Sequence, residues 1–502
     1  MDFSKIKLTD STVISAELKV ISEDGEPSVE AYCINVESCA EEGSFIRHIF
    51  WLPLEWNGIF LGIGNGGAGG KLGTSLYVDA RDGTAVGQTD MGTYRMVNGE
   101  KTQSYKSMMR DYGWRSTHLM TVVGKELILA FYGRLPDYCY FNGASAGGKQ
   151  ALSEAQRYPE DYDGIIARCP SFNSVFLGMH FLWMYRCLRN RDGTTRIKDT
   201  LRDKITASAV KFFECDGSLG ARYGFVSTGY VDENTVNDFL EFLRQEISDI
   251  TDEQLEILRK IYEGPKNSET GEQIHCGLPI GAEKNCGYFD EIENIPEYDS
   301  PWFKLFFGQD FDERTFDYAD QVDEYFYGNA EDFGAVDPNL SAFYEHGGKL
   351  IMTSGGSDPY GPWADAMNYY NRVLEFFGDK DKVMSFFRYF VIPGKGHSTD
   401  GLGATDEFGS ETMESELSAI RKWREQCQAP ECIYGARLET KENSEGRTYK
   451  ELVYIAPVYP YMGDKKEGIN YPKCTSARYI DEQVAIIRES IDRENGFLNK
   501  AF

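Results

Sequence analysis

The sequence has no long apolar run and few residues grouped for metal binding. No segment approaches the roughly 18 apolar residues that a membrane-spanning helix needs, and residues 1–10 lack the apolar core of a secretory signal. The eleven cysteines are scattered, and Cys427 and Cys432 have neither a second pair nor a histidine nearby to complete a zinc site. We therefore expect a soluble, cytoplasmic protein with free thiols, no cofactor and no bound metal.

Positive charge is scarce as well. The chain of 502 residues has 52 Lys and Arg against 80 Asp and Glu, which gives a net charge of −28. Such an excess of negative charge repels nucleic acid and anionic membrane surfaces, so we expect neither as a partner. The length allows a large core and a second structural unit. Nothing in the composition indicates an oligomeric state.

The most informative stretch is residues 138–148, YCYFNGASAGG, which ends in Gly-x-Ser-x-Gly and runs on into KQALSEA. An apolar run, a glycine-rich turn and a helix-forming segment predict a strand, a sharp turn and a helix. On such a turn the Ser145 hydroxyl is exposed as a nucleophile, and the following amide, that of Ala146, can stabilise an oxyanion. The pentapeptide alone is common, but its strand and helix context favours a catalytic serine.

Partners for this serine follow two later predicted strands. Asp358 lies in the turn after residues 350–354, and His397 lies in the loop after residues 385–392. The order Ser145, Asp358, His397 is that of an α/β-hydrolase triad. Alternatively, Asp358 is a turn residue that binds its own backbone, with Asp365 and Asp400 as competitors. The other histidines occupy no comparable position: His48, His118, His180, His275 and His346.

A second glycine-rich loop follows an early apolar strand. Residues 58–70 read GIFLGIGNGGAGG, so a strand runs directly into a loop with exposed backbone amides. A nucleotide-binding loop is the competing interpretation, but no Gly-Lys-Ser/Thr and no dinucleotide-type helix follows. We expect an oxyanion hole in which the amide of Gly66 or Gly67 pairs with that of Ala146.

Several motifs occur in a fixed order along most of the chain. They are Trp56-Asn57-Gly58, Gly64-Asn65-Gly66-Gly67, Thr89-Asp90, 121–128, 140–150, 154–159, 337–343, 347–351 and 393–397. With them the chain resembles the tannase and feruloyl esterase family of α/β-hydrolases, which also includes mono(2-hydroxyethyl) terephthalate hydrolase. The resemblance implies Ser145 as nucleophile, His397 as general base and Asp358 as the acid that orients it.

Two departures from this family are informative. Members typically have cysteines just before the nucleophile and just after the histidine, joined as a disulfide, whereas this chain has Ala144 and Ser398. The joint loss fits a reducing compartment. Members often hold calcium in a lid loop, but here Leu219 and Tyr223 replace the expected carboxylates, so we expect no calcium site there.

The distance along the chain from Ser145 to Asp358 exceeds one strand-helix-strand repeat and predicts an insertion. We expect an α/β-hydrolase domain of residues 1–170 and 336–502 with a lid domain of residues 171–335. A capping box at Thr251–Gln254 should begin a lid helix. The substrate-binding residues are unknown at this level, and the candidates are the lid aromatics Trp183, Trp302 and Phe303.

The resemblance predicts a serine carboxylic ester hydrolase acting on esters of aromatic acids, of the hydroxycinnamic or gallic type. A small-molecule aromatic ester is then the expected partner. Two alternatives stay open. The same triad could cleave another ester, a lactone or an amide, or the fold could bind an aromatic ligand without catalysis.

Overall fold

The protein is built on a nine-stranded mixed sheet in the order β1-β2-β3-β5-β4-β6-β7-β8-β9. The first three strands form an antiparallel meander, and β3 joins β5 antiparallel. From β5 to β9 all neighbouring strands are parallel. The strands are β1 (Ser11–Ile21), β2 (Val29–Ser38), β3 (Ile46–Pro53), β4 (Ile59–Ile63), β5 (Ala85–Thr89), β6 (Tyr138–Ala144), β7 (Gly164–Arg168), β8 (Lys349–Gly355) and β9 (Phe387–Ile392).

This structure is a computed structural model. It describes residues 1–22, 28–73, 76, 80–102, 104–190, 192–229, 233–290, 301–308, 310–312, 315–397, 401–407, 415–443, 447–463 and 474–498.

Helices connect the parallel strands and cover both faces of the sheet. Among the described residues, the first eight α-helices are α1 (Tyr94–Val97), α2 (Tyr105–Arg110), α3 (Ser116–Tyr132), α4 (Ala146–Arg157), α5 (Ser174–Leu188), α6 (Asp199–Phe213), α7 (Leu219–Tyr223) and α8 (Glu233–Glu246). The next eight are α9 (Asp252–Glu263), α10 (Pro301–Phe307), α11 (Gln321–Asn329), α12 (Ser341–Glu345), α13 (Trp363–Phe377), α14 (Lys380–Met384), α15 (Glu416–Gln426) and α16 (Ala477–Leu498). Short 3-10 turns span Phe3–Lys5, Glu283–Asn285 and Gly287–Phe289, and a π-helical turn spans Asp111–Arg115.

The two faces of the sheet carry different parts of the core. On one face, Phe141 and Ile165 pack with Leu152 of α4 in the largest hydrophobic cluster. On the other face, Ile166 and Ile351 pack against α15. Strands buried on both faces read as continuous apolar runs, as β7 does, and this pattern belongs to parallel sheets covered by helices. The predicted α/β class is confirmed.

The segment between β7 and β8 contains helices α5 to α12 and no strand among its described residues. Its helices build one hydrophobic cluster among themselves. They share a second cluster with residues outside the segment, among them Met96, Met109 and Ala146. The predicted capping box is confirmed at the start of α9, where Thr251 and Gln254 bond each other's backbone amides. The division into a catalytic domain and a lid domain stays a prediction.

A small antiparallel sheet, β10-β11-β12, follows the main sheet along the chain. Its strands are β10 (Asp406–Glu407), β11 (Ile433–Glu442) and β12 (Thr448–Val458). Within the described ranges, no helix is long and apolar enough to cross a membrane.

Glycines bring the ends of β4 and β6 against the start of α4. A Cβ atom on Gly64 would lie 2.6 Å from the Gly147 Cα and 2.8 Å from the Gly143 Cα. Both neighbours are backbone atoms, so neither can rotate away as a side chain would. The helix can therefore start directly above the strand ends only while these positions lack side chains.

We expect Gly64→Ala to destabilise the protein by about 2–3 kcal/mol, because the added methyl group overpacks a contact between backbones. Gly328→Ala is the matched control. Gly328 lies on α11 with open space around it, so alanine there should raise stability by roughly 0.5–1 kcal/mol. Urea unfolding of both variants tests this. Equal stabilities for the two would contradict the close-packing argument.

Candidate active site

Ser145 lies on the predicted sharp turn between β6 and α4. Its backbone has φ +61° and ψ −120°, a conformation that residues with a side chain rarely adopt. The turn is held from both sides: the Ser145 amide donates to the Arg168 carbonyl at 3.0 Å, and the Ser145 carbonyl accepts from the Ser171 amide at 3.0 Å. Strain of this kind is typical of functional positions, and here it presents the hydroxyl at the carboxyl edge of the sheet.

The three residues of the predicted triad meet at this edge. The His397 Nε2 atom lies 2.8 Å from the Ser145 Oγ, and the His397 Nδ1 atom lies 2.9 and 3.0 Å from the two carboxylate oxygens of Asp358. Asp358 is fully buried, while Ser145 and the histidine side chain are partly exposed. A proton can therefore pass from serine to histidine while the buried carboxylate orients the ring.

The two interpretations of Asp358 turn out to be compatible. Its Oδ1 accepts hydrogen bonds from the amides of Tyr360 and Gly361, at 2.8 and 2.9 Å, as expected of an aspartate in a turn. The same carboxylate also bonds His397. The turn therefore holds the Asp358 carboxylate in place, and this carboxylate in turn orients the His397 ring.

The other acids and histidines considered from the sequence do not take the place of Asp358 or His397 beside Ser145 in the described part of the chain. Asp365 is buried near His275, with 3.7 Å between the Asp365 Oδ2 and the His275 Nε2, and Asp400 lies outside the described residues. His48 bonds Ser38. His118 lies 2.6 Å from Asp161 through its Nδ1 atom, and the His180 ring lies 4.7 Å from the ring of His275.

The glycine loop after β4 lies next to Ser145. The Gly64 amide donates to the Asn142 carbonyl at 2.8 Å, and the Asn65 amide donates to the Gln150 side chain at 2.8 Å. The Gly66 amide is occupied by the Asn65 side-chain oxygen, also at 2.8 Å. The Gly67 amide has no hydrogen-bond acceptor in the described part of the chain.

Two hydrogen bonds in series connect this loop to α4 through Tyr112. The Tyr112 hydroxyl donates to the Gly67 carbonyl at 3.1 Å. The Lys149 amino group donates to the Tyr112 carbonyl at 2.7 Å and lies 3.6 Å from the centre of the tyrosine ring. Burial lowers the pKa of Lys149 well below its usual range. Tyr112 sits in the π-helical turn, an irregularity frequently found at functional sites.

Cys169 contacts the loop that carries the histidine. Its thiol donates to the His397 carbonyl at 2.8 Å, while its amide donates to the Thr353 carbonyl at 2.7 Å. Burial raises the pKa of the Cys169 thiol, so the sulfur keeps the proton that it donates. This hydrogen bond links the end of β7 to the histidine loop, which has no covalent tie to it.

Two groups of residues in the described part of the chain have the donor types of a metal site. Cys169, Asp358 and His397 form one group, whose contacts are those given above. His118, Glu154 and Asp161 form the other. There the Lys125 ammonium donates to the Asp161 carboxylate at 3.1 Å and supplies a positive charge at the cluster. The expected absence of a metal stays a prediction.

A cavity of about 620 Å³ opens beside Ser145. Among the residues that line it are Gly66, Gly67, Ser171 and His397. The aromatic part of its wall consists of Phe181, Tyr288 and Tyr360, and the polar part includes Asn65, Asn142 and Arg168. A cavity of this size holds a small organic molecule.

The aromatic candidates from the sequence differ from the rings that line this cavity. Trp183 packs against Tyr318 and donates to the Lys260 carbonyl, and Phe303 is buried in a hydrophobic cluster. The side chain of Trp302 lies outside the described part of the chain. On a helix with 3.6 residues per turn, positions two apart point to nearly opposite sides, so Phe181 reaches the cavity and Trp183 does not. Phe181 lies two residues from Trp183, whereas Tyr288 and Tyr360 belong to other stretches of the chain, and no local pattern marks these three rings.

All eleven cysteines are free thiols. We therefore expect dithiothreitol to leave the thermal unfolding temperature unchanged, because there is no disulfide to reduce. Loss of a native disulfide typically costs about 2–5 kcal/mol, so a fall of several degrees in calorimetry with reductant would contradict the free-thiol assignment.

Comparison with known proteins gives the same family as the sequence motifs. The sequence profile of the family described as "Tannase and feruloyl esterase" matches residues 33–297 and 303–473. The "Probable feruloyl esterase B-2" of Aspergillus flavus is 29% identical over 414 residues, which are 77% of this chain and 76% of that relative.

Solved structures agree on the fold. Feruloyl esterase B from Aspergillus oryzae superposes with a TM-score of 0.73 at 23% identity, over 91% of this chain and 94% of that one. Tannin acyl hydrolase from Aspergillus niger gives 0.62 at 18% identity, over 95% and 93%. The predicted α/β-hydrolase fold is thereby confirmed. Because the family profile covers most of the sequence, the chain belongs to the tannase and feruloyl esterase family of carboxylic ester hydrolases.

Proposed function

We propose that this protein hydrolyses carboxylic esters of aromatic acids, with Ser145 as the nucleophile. The observation that carries the proposal is the chain of hydrogen bonds from Ser145 through His397 to the buried Asp358, beside a cavity with aromatic side chains in its wall. A nucleophile, a base and an orienting acid within hydrogen-bond distance are the parts that acyl transfer needs.

The reaction proceeds in two steps. His397 removes the Ser145 proton as the oxygen attacks the ester carbonyl, and the protonated ring then gives that proton to the departing alcohol. This leaves the acid bound to Ser145 as an ester. In the second step His397 removes a proton from water, the hydroxide attacks the acyl group, and the proton returns to Ser145 as the free acid leaves.

The negative oxygen that forms in each step needs hydrogen-bond donors already in place. We assign this role to the amides of Ala146 and Gly67. Gly66, the other candidate, already donates to the Asn65 side chain. The Gly69 amide donates to the Gly66 carbonyl and closes a turn. The Gly67 amide is not used in that hydrogen bond.

The aromatic wall supports an aromatic acid as the acyl group. The Phe181 and Tyr360 rings lie 6.0 Å apart edge to face, Tyr288 lies 6.3 Å from Tyr360, and Tyr360 lies 5.5 Å from the His397 ring. Such faces and edges favour a planar ring as ligand. The relatives named feruloyl esterase and tannin acyl hydrolase indicate hydroxycinnamic esters first and gallic esters second.

The proposal includes the lid division made from the sequence. Residues 171–335 would form the lid on a catalytic unit of residues 1–170 and 336–502. This segment supplies Ser171, Phe181 and Tyr288 to the cavity wall, whereas the triad comes from the strand ends of the sheet. The lid would then select the acid, and the sheet would carry the chemistry.

We expect Ser145→Ala to lower kcat on methyl ferulate by about 10⁴-fold or more, as loss of a serine nucleophile does elsewhere. Ser153→Ala, on the same helix and outside the cavity, is the matched control and should retain activity. The measurement uses methyl ferulate, chlorogenate, methyl gallate and an activated acetate ester. Full activity of Ser145→Ala would refute the mechanism. Binding of ferulate without turnover by the wild type would favour the non-catalytic alternative.

We expect Tyr112→Phe to lower kcat on methyl ferulate about tenfold while KM changes little. The hydroxyl orients the Gly67 peptide, and a displaced oxyanion donor weakens binding of the transition state more than binding of the substrate. Steady-state kinetics and a thermal unfolding curve separate this effect from misfolding. A rise in KM at constant kcat would show that Tyr112 acts on substrate binding instead.

A further inference from the structure

Two free cysteines that are distant along the chain lie against each other in the fold. Cys276 is buried in the largest hydrophobic cluster, and the half-buried Cys474 packs against that cluster. A hydrogen bond between the two thiols, together with burial, raises the pKa of Cys276. The proposed ester hydrolysis uses neither thiol, so their contact calls for a separate explanation.

Hydrogen bonds hold the two segments in register beside these thiols. The Ser476 amide donates to the Gln273 carbonyl at 2.8 Å. One residue earlier, the Thr475 hydroxyl donates to the Ile274 carbonyl at 2.9 Å. The segments therefore run antiparallel here, and the next step along each of them brings the two cysteines together. The fold thus sets this contact before any bond between the sulfurs forms.

The two thiols differ in their access to solvent. Cys276 is only 1% exposed, and its raised pKa means that it keeps its proton. Cys474 is half-buried, and its thiol also contacts the Ala364 carbonyl at 3.4 Å. An oxidant from solution therefore reaches Cys474 first, with Cys276 in place to react second. Redox-sensing cysteines are accessible in this way and often lie next to a second, resolving cysteine.

The pair lies at a junction between two parts of the molecule. Cys276 belongs to the segment between α9 and the 3-10 turn Glu283–Asn285, and Cys474 precedes α16. Charged side chains already join these parts, since Arg478 donates to the two carboxylate oxygens of Glu272 at 3.0 and 2.7 Å. A disulfide would make the junction covalent and close a loop of about 200 residues.

We propose that Cys276 and Cys474 form a modification site that reacts with a low-molecular-weight disulfide, such as oxidised glutathione, and closes to a protein disulfide. This inference does not depend on the proposed function. In a reducing compartment the pair stays open, and it closes when the surrounding thiol pool is oxidised.

The reaction is two successive thiol-disulfide exchanges. The Cys474 sulfur attacks one sulfur of oxidised glutathione, the glutathione disulfide bond breaks, and one glutathione leaves with the proton that Cys474 gave up. The Cys276 sulfur then attacks the Cys474 sulfur, the bond to glutathione breaks, and the second glutathione leaves with the Cys276 proton. Two protein thiols are oxidised, and one glutathione disulfide is reduced to two glutathione molecules.

The test exposes the fully reduced protein to oxidised glutathione and then alkylates the remaining thiols. Trypsin places the two cysteines in separate peptides, residues 267–284 and 474–478, each with one cysteine. We expect mass spectrometry to show these two peptides joined by a disulfide. The thermal unfolding temperature should rise by about 3–5 °C, because a cross-link across a long loop restricts the unfolded chain. Dithiothreitol should reverse both changes.

Three variants assign the effect to the pair. Cys474→Ser should abolish the cross-link and the rise in unfolding temperature. Cys276→Ala, which removes the buried thiol without adding a hydroxyl, should leave glutathione attached to Cys474. Cys432→Ser is the matched control, because Cys432 is also half-buried and precedes β11. It should form the cross-link as the wild type does.

Two results would overturn the inference. One is the appearance of glutathione adducts on the wild type without a link between the two peptides. The other is a rise in unfolding temperature that persists in Cys474→Ser, which would assign the effect to other cysteines, such as Cys427 and Cys432. Both results are read from peptide masses and unfolding curves, so they hold whether or not the protein hydrolyses aromatic esters.

Discussion

The contact between the backbone ends of β4 and β6 and the start of α4 is the constraint on which the site depends. At Gly64, Gly143 and Gly147 the backbones of these elements lie so close together that a Cβ atom would not fit between them. That approach produces the strained Ser145 conformation and places the Ala146 amide at the carboxyl edge of the sheet. The proposed nucleophile and one proposed oxyanion donor thus come from a single packing arrangement.

Hydrogen bonds position the other parts of the site. Asp358 is fixed by the amides of its own turn, and the His397 loop is joined to β7 by the Cys169 thiol. The glycine loop is joined to α4 through Tyr112 and Lys149. Removing one partner of a buried hydrogen bond costs more free energy than such a bond contributes on average, because the other group stays buried without a partner. Buried polar contacts can therefore position these loops without a disulfide.

The cavity beside Ser145 has an aromatic part and a polar part in its wall. Its rings suit a planar acid, and the Glu416 carboxylate holds Arg168 and Asn142 in its polar part. The preference for such an acid follows from side chains that the chemistry of Ser145 and His397 does not require. Location in the cytoplasm stays a prediction.

Local sequence determined the strand, turn and helix around Ser145 and the strand-end positions of Asp358 and His397. Their meeting could be predicted because carboxyl ends of parallel strands share one edge of a sheet. The sequence did not determine which rings line the cavity, since Phe181 and Trp183 lie two residues apart on one helix. Nor could it pair Arg168 with Glu416, which are 248 residues apart. Only tertiary packing decided these contacts, because the facing of a helix and the pairing of distant side chains depend on how the elements pack, and no local pattern encodes that.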